Sequence, residues 1–135
     1  MHFPEEFINK KILIFGYGKT GKSVQKYFIK KKINYTIWDD NRKLNIKKID
    51  KKYYLKKYDY IILSPGVDIY HHQKKDFFKK HKKNIITDLD IFFLSEKKIR
   101  YIIGVTGTNG KSSFCNLLNS LIKKNNIKSR VLGNF

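Results

Sequence analysis

The chain of 135 residues carries 30 lysines and arginines against 11 aspartates and glutamates, which gives a formal net charge of +19. Because 41% of its residues are hydrophobic and 15% are aromatic, the chain can build a folded core, which argues against intrinsic disorder. Its single cysteine excludes an internal disulfide and a thiolate metal cluster, and no apolar run approaches the roughly 20 residues needed to cross a bilayer. We therefore expect a protein of the reducing cytoplasm, with no segment inserted in a membrane.

The positive charge is distributed along the whole chain rather than concentrated in one block. A nucleic-acid-binding protein usually clusters its lysines and arginines on one face or along one helix. Here the lysines recur as scattered pairs, and arginine is rare. We therefore expect no nucleic-acid partner. The pairs lie at 47–48, 51–52, 56–57, 74–75, 79–80, 82–83, 97–98 and 123–124.

The first 40 residues predict a βαβ unit with a glycine-rich turn. An apolar run at residues 11–15 predicts a buried strand, and Gly-Tyr-Gly-Lys-Thr-Gly follows at residues 16–21. An amphipathic helix is predicted at residues 22–31, and the strand after it ends in Asp39 and Asp40. In dinucleotide-binding folds an acid at this place contacts the ribose. The pattern therefore predicts a nucleotide site, and the residues alone leave an NAD(P)-binding domain of a dehydrogenase or regulatory protein open.

The middle of the chain predicts two further strands of the same sheet. Residues 60–63 form an apolar run that Ser-Pro-Gly at residues 64–66 stops, and residues 85–86 predict a short strand. Ligands of open α/β sheets bind outside the carboxyl ends of the strands. The Ser-Pro-Gly turn is therefore a candidate binding element.

Two helical segments accompany these strands. Residues 70–80 predict a helix whose core face carries Phe77 and Phe78, and Thr87 is placed to cap a helix that begins near Asp88. The histidines of this region have no acidic or cysteine partner at ligand spacing. We therefore expect them to be surface residues and not a metal site. They are His71, His72 and His81.

A second glycine-rich turn lies between an apolar run at residues 101–104 and a predicted helix at residues 111–124. Strand, glycine turn, Lys-Ser and helix is the layout of a nucleotide phosphate site, although Val105 stands where the general P-loop pattern has glycine. Lys111 adds a mobile positive charge, and the Ser112 hydroxyl is suitably placed for a magnesium ion. The predicted phosphate-binding residues are Thr106, Gly107, Thr108, Asn109, Gly110, Lys111, Ser112 and Ser113.

Together these elements predict an α/β fold in two parts. Residues 1–97 predict a Rossmann-like domain with a parallel sheet, and residues 98–135 predict the truncated start of a P-loop ATPase central domain. A further strand is predicted at residues 129–132. One strand, one helix and part of a second strand leave apolar faces with nothing to cover them.

The form Thr-Gly-Thr-Asn-Gly-Lys-Ser at residues 106–112 resembles the phosphate turn of the Mur ligases and of their folylpolyglutamate synthetase relatives. Along nearly the whole chain, the order of segments resembles the start of the MurD-type Mur ligases. The matching landmarks are Gly-x-Gly-x-Thr-Gly at 16–21, the acid Asp39, Ser-Pro-Gly at 64–66, Thr-Asp-Leu-Asp-Ile-Phe at 87–92, the turn at 106–112 and Gly-Asn at 133–134.

The resemblance implies ATP-dependent amide formation through an acyl phosphate, in peptidoglycan biosynthesis. The implied substrates are UDP-N-acetylmuramoyl-L-alanine and D-glutamate, with ATP and Mg²⁺ as cofactors. Lys111 would be the catalytic residue, on the β- and γ-phosphates, and Ser112 would hold magnesium through ATP. The residues that the resemblance assigns to the UDP substrate are Gly18, Lys19, Thr20, Asp39, Asp40, Ser64, Gly66 and Asn134.

The chain departs from the family pattern at several points. Thr87 and Asp90 replace a glycine and a glutamate, and the polar residue near the uracil is Asn41 or Arg42. In the family, the glutamate, histidine and modified lysine that serve the metals lie beyond position 135, as does the C-terminal domain. We therefore expect a monomeric N-terminal fragment that does not complete the ligation alone.

Overall fold

The computed structural model describes residues 5–40, 51–95 and 101–133. It divides the chain into two compact units, residues 1–99 and residues 100–135. The boundary between them, like the predicted one at residue 97, lies outside the described residues. Each unit is considered by itself below.

The first unit contains a parallel sheet of four strands. These are β1 (Ile12–Phe15), β2 (Thr36–Trp38), β3 (Tyr60–Leu63) and β4 (Ile85–Ile86), and their spatial order is β2-β1-β3-β4. All three pairings are parallel. The chain therefore reverses its direction of travel across the sheet at β1, which is the switch point where open α/β sheets bind ligands. The predicted α/β, Rossmann-like parallel sheet is confirmed.

Strand β1 is buried along its whole length because elements cover both faces of the sheet. On one face an isoleucine from each strand forms a row in register, and Val24 and Phe28 pack in the same cluster. The opposite face carries Leu13 and Phe15 with an aromatic cluster. Burying one such apolar side chain contributes about 1.5–3 kcal/mol, so both faces stabilise the sheet. The isoleucines in register are Ile37, Ile14, Ile62 and Ile86.

Three α-helices belong to the first unit: α1 (Lys19–Lys30), α2 (Lys75–Lys80) and α3 (Asp88–Ser95). Helix α1 starts three residues before the predicted position, directly at the glycine turn. Helix α2 starts later than predicted because the Asp68 carboxylate accepts hydrogen bonds from the backbone N–H groups of Tyr70 and His71, which holds this segment in a turn.

The predicted cap of α3 is confirmed. The Thr87 backbone N–H and hydroxyl both donate to the Asp90 carboxylate, at 2.7 and 2.8 Å, and the Asp90 N–H donates to the Thr87 hydroxyl at 3.3 Å. These reciprocal bonds form a capping box. Replacement of the family's glycine and glutamate therefore leaves the capping chemistry intact.

The expectation that the three histidines are surface residues is wrong for two of them. His81 is 6% exposed, its Nδ1 donates to the Phe77 carbonyl at 2.9 Å, and its ring lies 4.5 Å from the Phe77 ring. The His72 side chain is 12% exposed and packs against Phe15 and Phe78. The aromatic cluster on this face of the sheet accommodates the rings, which the local sequence does not indicate. His71 is exposed as expected.

The second unit contains helix α4 (Lys111–Lys124). The predicted strands at residues 101–104 and 129–132 are wrong, because the structure assigns no strand within residues 101–133. A strand needs a hydrogen-bonded neighbour, and these segments have none of that kind in the described part. No residue of α4 is buried. Its apolar face is exposed, as predicted, at Phe114, Leu117 and Leu121.

None of the helices in the described ranges is long and apolar enough to cross a membrane.

Candidate functional site

The first glycine turn, residues 16–21, joins the carboxyl end of β1 to α1. The Gly16 N–H donates to the Trp38 carbonyl at 2.8 Å, and the Ser64 hydroxyl donates to the Gly16 carbonyl at 2.9 Å. Gly16 has φ of +91°, and an added Cβ would lie 2.7 Å from the Ser64 Cβ. The ends of β2 and β3 therefore fix the turn on both sides, and glycine is required where Ser64 approaches it.

The turn also determines where α1 begins. An added Cβ on Gly21 would lie 2.1 Å from the Gly16 carbonyl oxygen, so the helix can approach the turn this closely only without a side chain at that position. Gly18, the N-cap of α1, is different because an added Cβ there would meet no atom within 4 Å. The amino end of α1 is thus open. Free N–H groups of a helix amino terminus, assisted by the helix dipole, favour an anion such as a phosphate.

Asp39 follows β2 and faces this turn. Its carboxylate accepts a hydrogen bond from the Tyr17 backbone N–H. The acid that is predicted to lie near a nucleoside therefore also holds the backbone of the glycine turn. The Tyr17 N–H is hydrogen-bonded to Asp39, and the Gly16 carbonyl is hydrogen-bonded to the Ser64 hydroxyl. The fold therefore determines the conformation of the turn before any ligand binds.

Asp40 points into a cleft of about 640 Å³ beside the turn. Trp38 Nε1 donates to its carboxylate at 3.0 Å, and His72 Nε2 lies 3.1 Å from Oδ2. Val67 connects the cleft to the turn, because it lines the cleft and its Cγ2 would lie 3.2 Å from a Cβ on Gly16. The remaining cleft residues that bear on function are Tyr53, Tyr54, Gly66 and Lys74.

The cleft combines aromatic walls with charges of both signs. Burial, and secondly the negative charge of Asp40, raises the pKa of the Tyr53 phenol above its ordinary range, so that this hydroxyl is neutral. At the rim, Lys74 Nζ lies 4.3 Å from the centre of the Tyr54 ring. Hydrogen bonds from the His71 ring and backbone hold the pKa of Asp68 below its usual range. Aromatic surface, a carboxylate acceptor and nearby lysine suit a nucleoside that carries phosphate.

The second glycine turn lies at the amino end of α4, and its conformation is local. Gly107 and Gly110 have φ of +148° and +75°. The Lys111 ammonium donates to the carbonyl of Gly107, and to that of Thr108 at 3.1 Å, so its side chain lies across the turn. Ser112 and Ser113 are exposed in the first turn of α4. Residues of the predicted phosphate site are therefore brought together, with exposed hydroxyls and an ammonium on one short segment.

The structure brings most of the predicted UDP-site residues to one edge of the sheet. Gly18, Lys19 and Thr20 begin α1, Ser64 closes the turn, and Gly66 lines the cleft with Asp40. Asn134, and with it the choice between Asn41 and Arg42, lies outside the described residues. Within the described ranges no three histidine, cysteine, aspartate or glutamate side chains group as metal ligands.

Sequence reasoning missed most side chains of the cleft, among them Trp38, Tyr53 and His72. No spacing in the sequence connects residue 72 with residue 40, because the contact depends on how two loops meet above the sheet. The only available signal was position. Trp38 immediately precedes the two acids at the end of a predicted strand.

The family model described as "Mur ligase MurD-like, N-terminal domain" matches residues 10–86, which is more than half of the chain and includes all four strands of the sheet. The chain belongs to the MurD-like Mur ligases. The predicted resemblance to the MurD-type Mur ligases is thereby confirmed. Residues 106–113 lie beyond the matched range, so the match concerns the first unit.

The relatives described next match both units of the chain, and all three share one name. The UDP-N-acetylmuramoylalanine–D-glutamate ligase of Wolbachia sp. subsp. Brugia malayi (strain TRS) is 34% identical over 96% of this chain and 28% of its own length. The ligase of that name from Buchnera aphidicola subsp. Baizongia pistaciae (strain Bp) is 37% identical over 95% of this chain and 31% of its own length. The ligase from Rickettsia prowazekii (strain Madrid E) is 35% identical over 93% of this chain and 30% of its own length. The chain thus spans about 30% of the length of these relatives.

Proposed function

We propose that the chain supplies the UDP-substrate-binding unit, and the first part of the ATP-binding unit, of a UDP-N-acetylmuramoyl-L-alanine:D-glutamate ligase. The observation that carries this proposal is the first glycine turn, which is fixed by β2 and β3 yet open at Gly18, in a chain of the MurD-like family. The names of the relatives support the reaction, and the open helix terminus supports the substrate.

The diphosphate of the UDP substrate binds at the amino end of α1 in this proposal. Gly18, Lys19 and Thr20 present backbone N–H groups there, and Lys19 adds a positive charge. Asp39 and Asp40 accept hydrogen bonds from the uridine. Ser64 and Gly66 line the passage of the sugar, and Asn134 contacts the substrate.

ATP binds at the second glycine turn, on the eight residues from Thr106 to Ser113. Lys111 exchanges its two backbone carbonyl partners for the β- and γ-phosphates, which are stronger acceptors because they are charged. The exposed Ser112 hydroxyl fits a magnesium ion carried by ATP, and that ion would neutralise phosphate charge.

The reaction has two steps. The alanine carboxylate of the UDP substrate attacks the γ-phosphorus of ATP, which releases ADP and gives an acyl phosphate, and the amine of D-glutamate then displaces phosphate to form the amide. Two polyanions must approach each other, so charge neutralisation by Lys111 and the helix amino termini lowers the barrier. The proposal includes a cytoplasmic, monomeric protein in peptidoglycan biosynthesis, with no nucleic-acid partner and no membrane insertion.

Calorimetric titration of the 135-residue chain with UDP, and in parallel with NAD, tests the proposal. We expect UDP to bind and NAD not to bind. Gly18→Leu places a bulky side chain in the open space at α1, so UDP binding should be lost while the chain still folds, with a stability loss of about 1 kcal/mol from the less favourable N-cap residue. Gly104→Leu is the matched control, since an added Cβ on Gly104 also meets no atom within 4 Å.

Two further variants locate the uridine and diphosphate parts of the site. Thr20→Ala and Asp39→Ala should each weaken UDP binding. Binding of NAD in place of UDP would overturn the proposal in favour of an NAD(P)-binding domain, for which the Gly-x-Gly-x-x-Gly turn is the specific observation. UDP binding that Gly18→Leu leaves unchanged would contradict the placement of the diphosphate.

A further inference from the structure

Asp40 is held between two ring N–H groups that come from different parts of the first unit. Trp38 Nε1 donates to Oδ1 at 3.0 Å, from the end of β2. His72 Nε2 lies 3.1 Å from Oδ2 and 3.2 Å from Oδ1, and it reaches Asp40 from the segment between β3 and α2. The carboxylate is therefore fixed from two sides rather than rotating freely about its side-chain bonds.

The tautomer of His72 follows from its second nitrogen. The Lys74 backbone N–H donates to His72 Nδ1 at 2.9 Å, so Nδ1 is the acceptor and the proton of the neutral ring is on Nε2. His72 Nε2 is therefore the donor and the Asp40 carboxylate the acceptor. Such a charge-assisted bond is stronger than one between neutral groups.

Aromatic packing keeps the His72 ring in this orientation. The ring is in edge contact with Phe15 and Phe78, at centroid distances of 5.4 and 5.2 Å, and the side chain is only 12% exposed. The Asp40 side chain, in contrast, is 58% exposed and lines the 640 Å³ cleft. A carboxylate has about four acceptor sites, so the ring donors of Trp38 and His72 leave acceptor capacity directed to the cleft.

We propose that His72 is a positioning residue of the uridine cleft, which holds the Asp40 carboxylate so that its remaining lone pairs accept hydrogen bonds from the hydroxyl or imide N–H donors of the nucleoside. The inference rests on the proposed function, because it assigns the cleft to the uridine part of the UDP substrate. His72 acts through Asp40 and does not touch the reacting atoms. Pre-organisation of the acceptor reduces the entropy that binding must otherwise supply.

Two substitutions at His72 separate hydrogen bonding from packing. His72→Phe keeps an aromatic ring against Phe15 and Phe78 but removes the donor, and we expect UDP affinity to fall about three- to ten-fold. His72→Gln places an amide N–H near the position of Nε2 and should restore affinity to within about two-fold of the original. A role in packing alone would give the opposite order.

A double-mutant cycle tests whether His72 acts through Asp40. In an Asp40→Ala chain, His72→Phe should have no further effect on UDP affinity, because the group that it positions is gone. His81→Phe is the matched control. It also exchanges a buried histidine of the aromatic cluster for phenylalanine, but His81 lies outside the cleft, so UDP affinity should be unchanged.

The outcomes separate the inference from the proposed function. If the unaltered chain binds UDP and His72→Phe binds it equally well, or if the two changes are additive, the role of His72 is overturned and the proposed function stands. If the unaltered chain does not bind UDP, the proposed function fails and the role of His72 in uridine binding fails with it. Fluorescence of Trp38, the only tryptophan, verifies that each variant is folded.

Discussion

The first glycine turn, residues 16–21, is held by side chains from elsewhere in its unit, whereas the second, residues 107–110, is held by its own lysine. At the first turn, Ser64 binds the Gly16 carbonyl and Asp39 binds the Tyr17 N–H. At the second turn, the Lys111 ammonium binds two carbonyls of the turn itself. The two turns have similar residue types, but different interactions stabilise their conformations.

The glycines of the two turns are required for correspondingly different reasons. Gly16 and Gly21 are required by space, because an added Cβ would come within 3 Å of another group. Gly110 is required by backbone conformation, since its φ is +75° but an added Cβ meets nothing within 4 Å. The conformation of the first turn depends on contacts with other elements of its unit, whereas that of the second turn depends on a few neighbouring residues. Substitutions should therefore differ in size between them.

The largest effect is expected for Gly21→Ala. The added Cβ would lie 2.1 Å from the Gly16 backbone oxygen, so turn and helix must separate, and we expect a loss of about 3 kcal/mol in the free energy of unfolding. Urea unfolding followed by Trp38 fluorescence measures it. Gly18→Ala is the control, because its Cβ meets no atom within 4 Å, and it should cost about 1 kcal/mol at most, from the less favourable N-cap residue. Equal stability of the two variants would contradict the close packing.

Gly16→Ala should cost about 2 kcal/mol, because it combines a positive φ with contact against Ser64. The atoms that would collide are the Ser64 Cβ at 2.7 Å and Oγ at 2.8 Å, and both are absent in Ser64→Gly. The double variant should therefore recover part of the loss in the same unfolding assay. Strict additivity of the two changes would show that the Ser64 side chain is not the group that an added Cβ on Gly16 meets.

A smaller effect is expected at the second turn. Gly110→Ala should cost about 1 kcal/mol for the left-handed conformation alone, without any collision. Because no residue of α4 is buried, the change should appear as reduced helix content in the amide and Cα chemical shifts of residues 111–124. Gly104→Ala serves as the comparison and should leave those shifts unchanged. A loss of cooperativity in the first unit would contradict a purely local turn.

The smallest effect concerns alkaline pH. The pKa of the Tyr53 phenol is raised above its ordinary value of 10.0, chiefly by burial and then by the Asp40 charge. The folded state therefore resists ionisation of this group, and its contribution to stability is complete below about pH 10 and is lost as the pH rises further. Tyr53→Phe should reduce the loss of stability between about pH 8 and pH 11. Tyr54→Phe, at an exposed neighbour, is the control; an equal reduction there would contradict the assignment to Tyr53.

Much of the fold could be predicted from the sequence because its signals are local. Continuous apolar runs predicted the parallel strands of the first unit, and Thr87 with Asp88 predicted the start of α3. The strands predicted near α4 were wrong because the same local signal does not show whether a pairing partner is present. An apolar run such as Tyr101 to Ile103 becomes a strand only beside a neighbour that pairs with it.

The candidate site could be predicted only where glycines and acids follow a strand. Its glycine turns and Asp40 are of this kind. Ring contacts across the cleft join residues more than 30 positions apart, as His72 and Asp40 show, and no periodicity encodes them. The burial of His81 is similar, because it depends on Phe77 packing within an aromatic cluster that several elements build together.

Amide chemical-shift mapping of the 135-residue chain with UDP tests the central claim most directly. We predict that UDP shifts the resonances of residues 16–21 and of Asp39 and Asp40, that Gly18→Leu abolishes these shifts, and that NAD causes none at the same concentration. Shifts at residues 16–21 with NAD and none with UDP would contradict a UDP-substrate site at the first glycine turn.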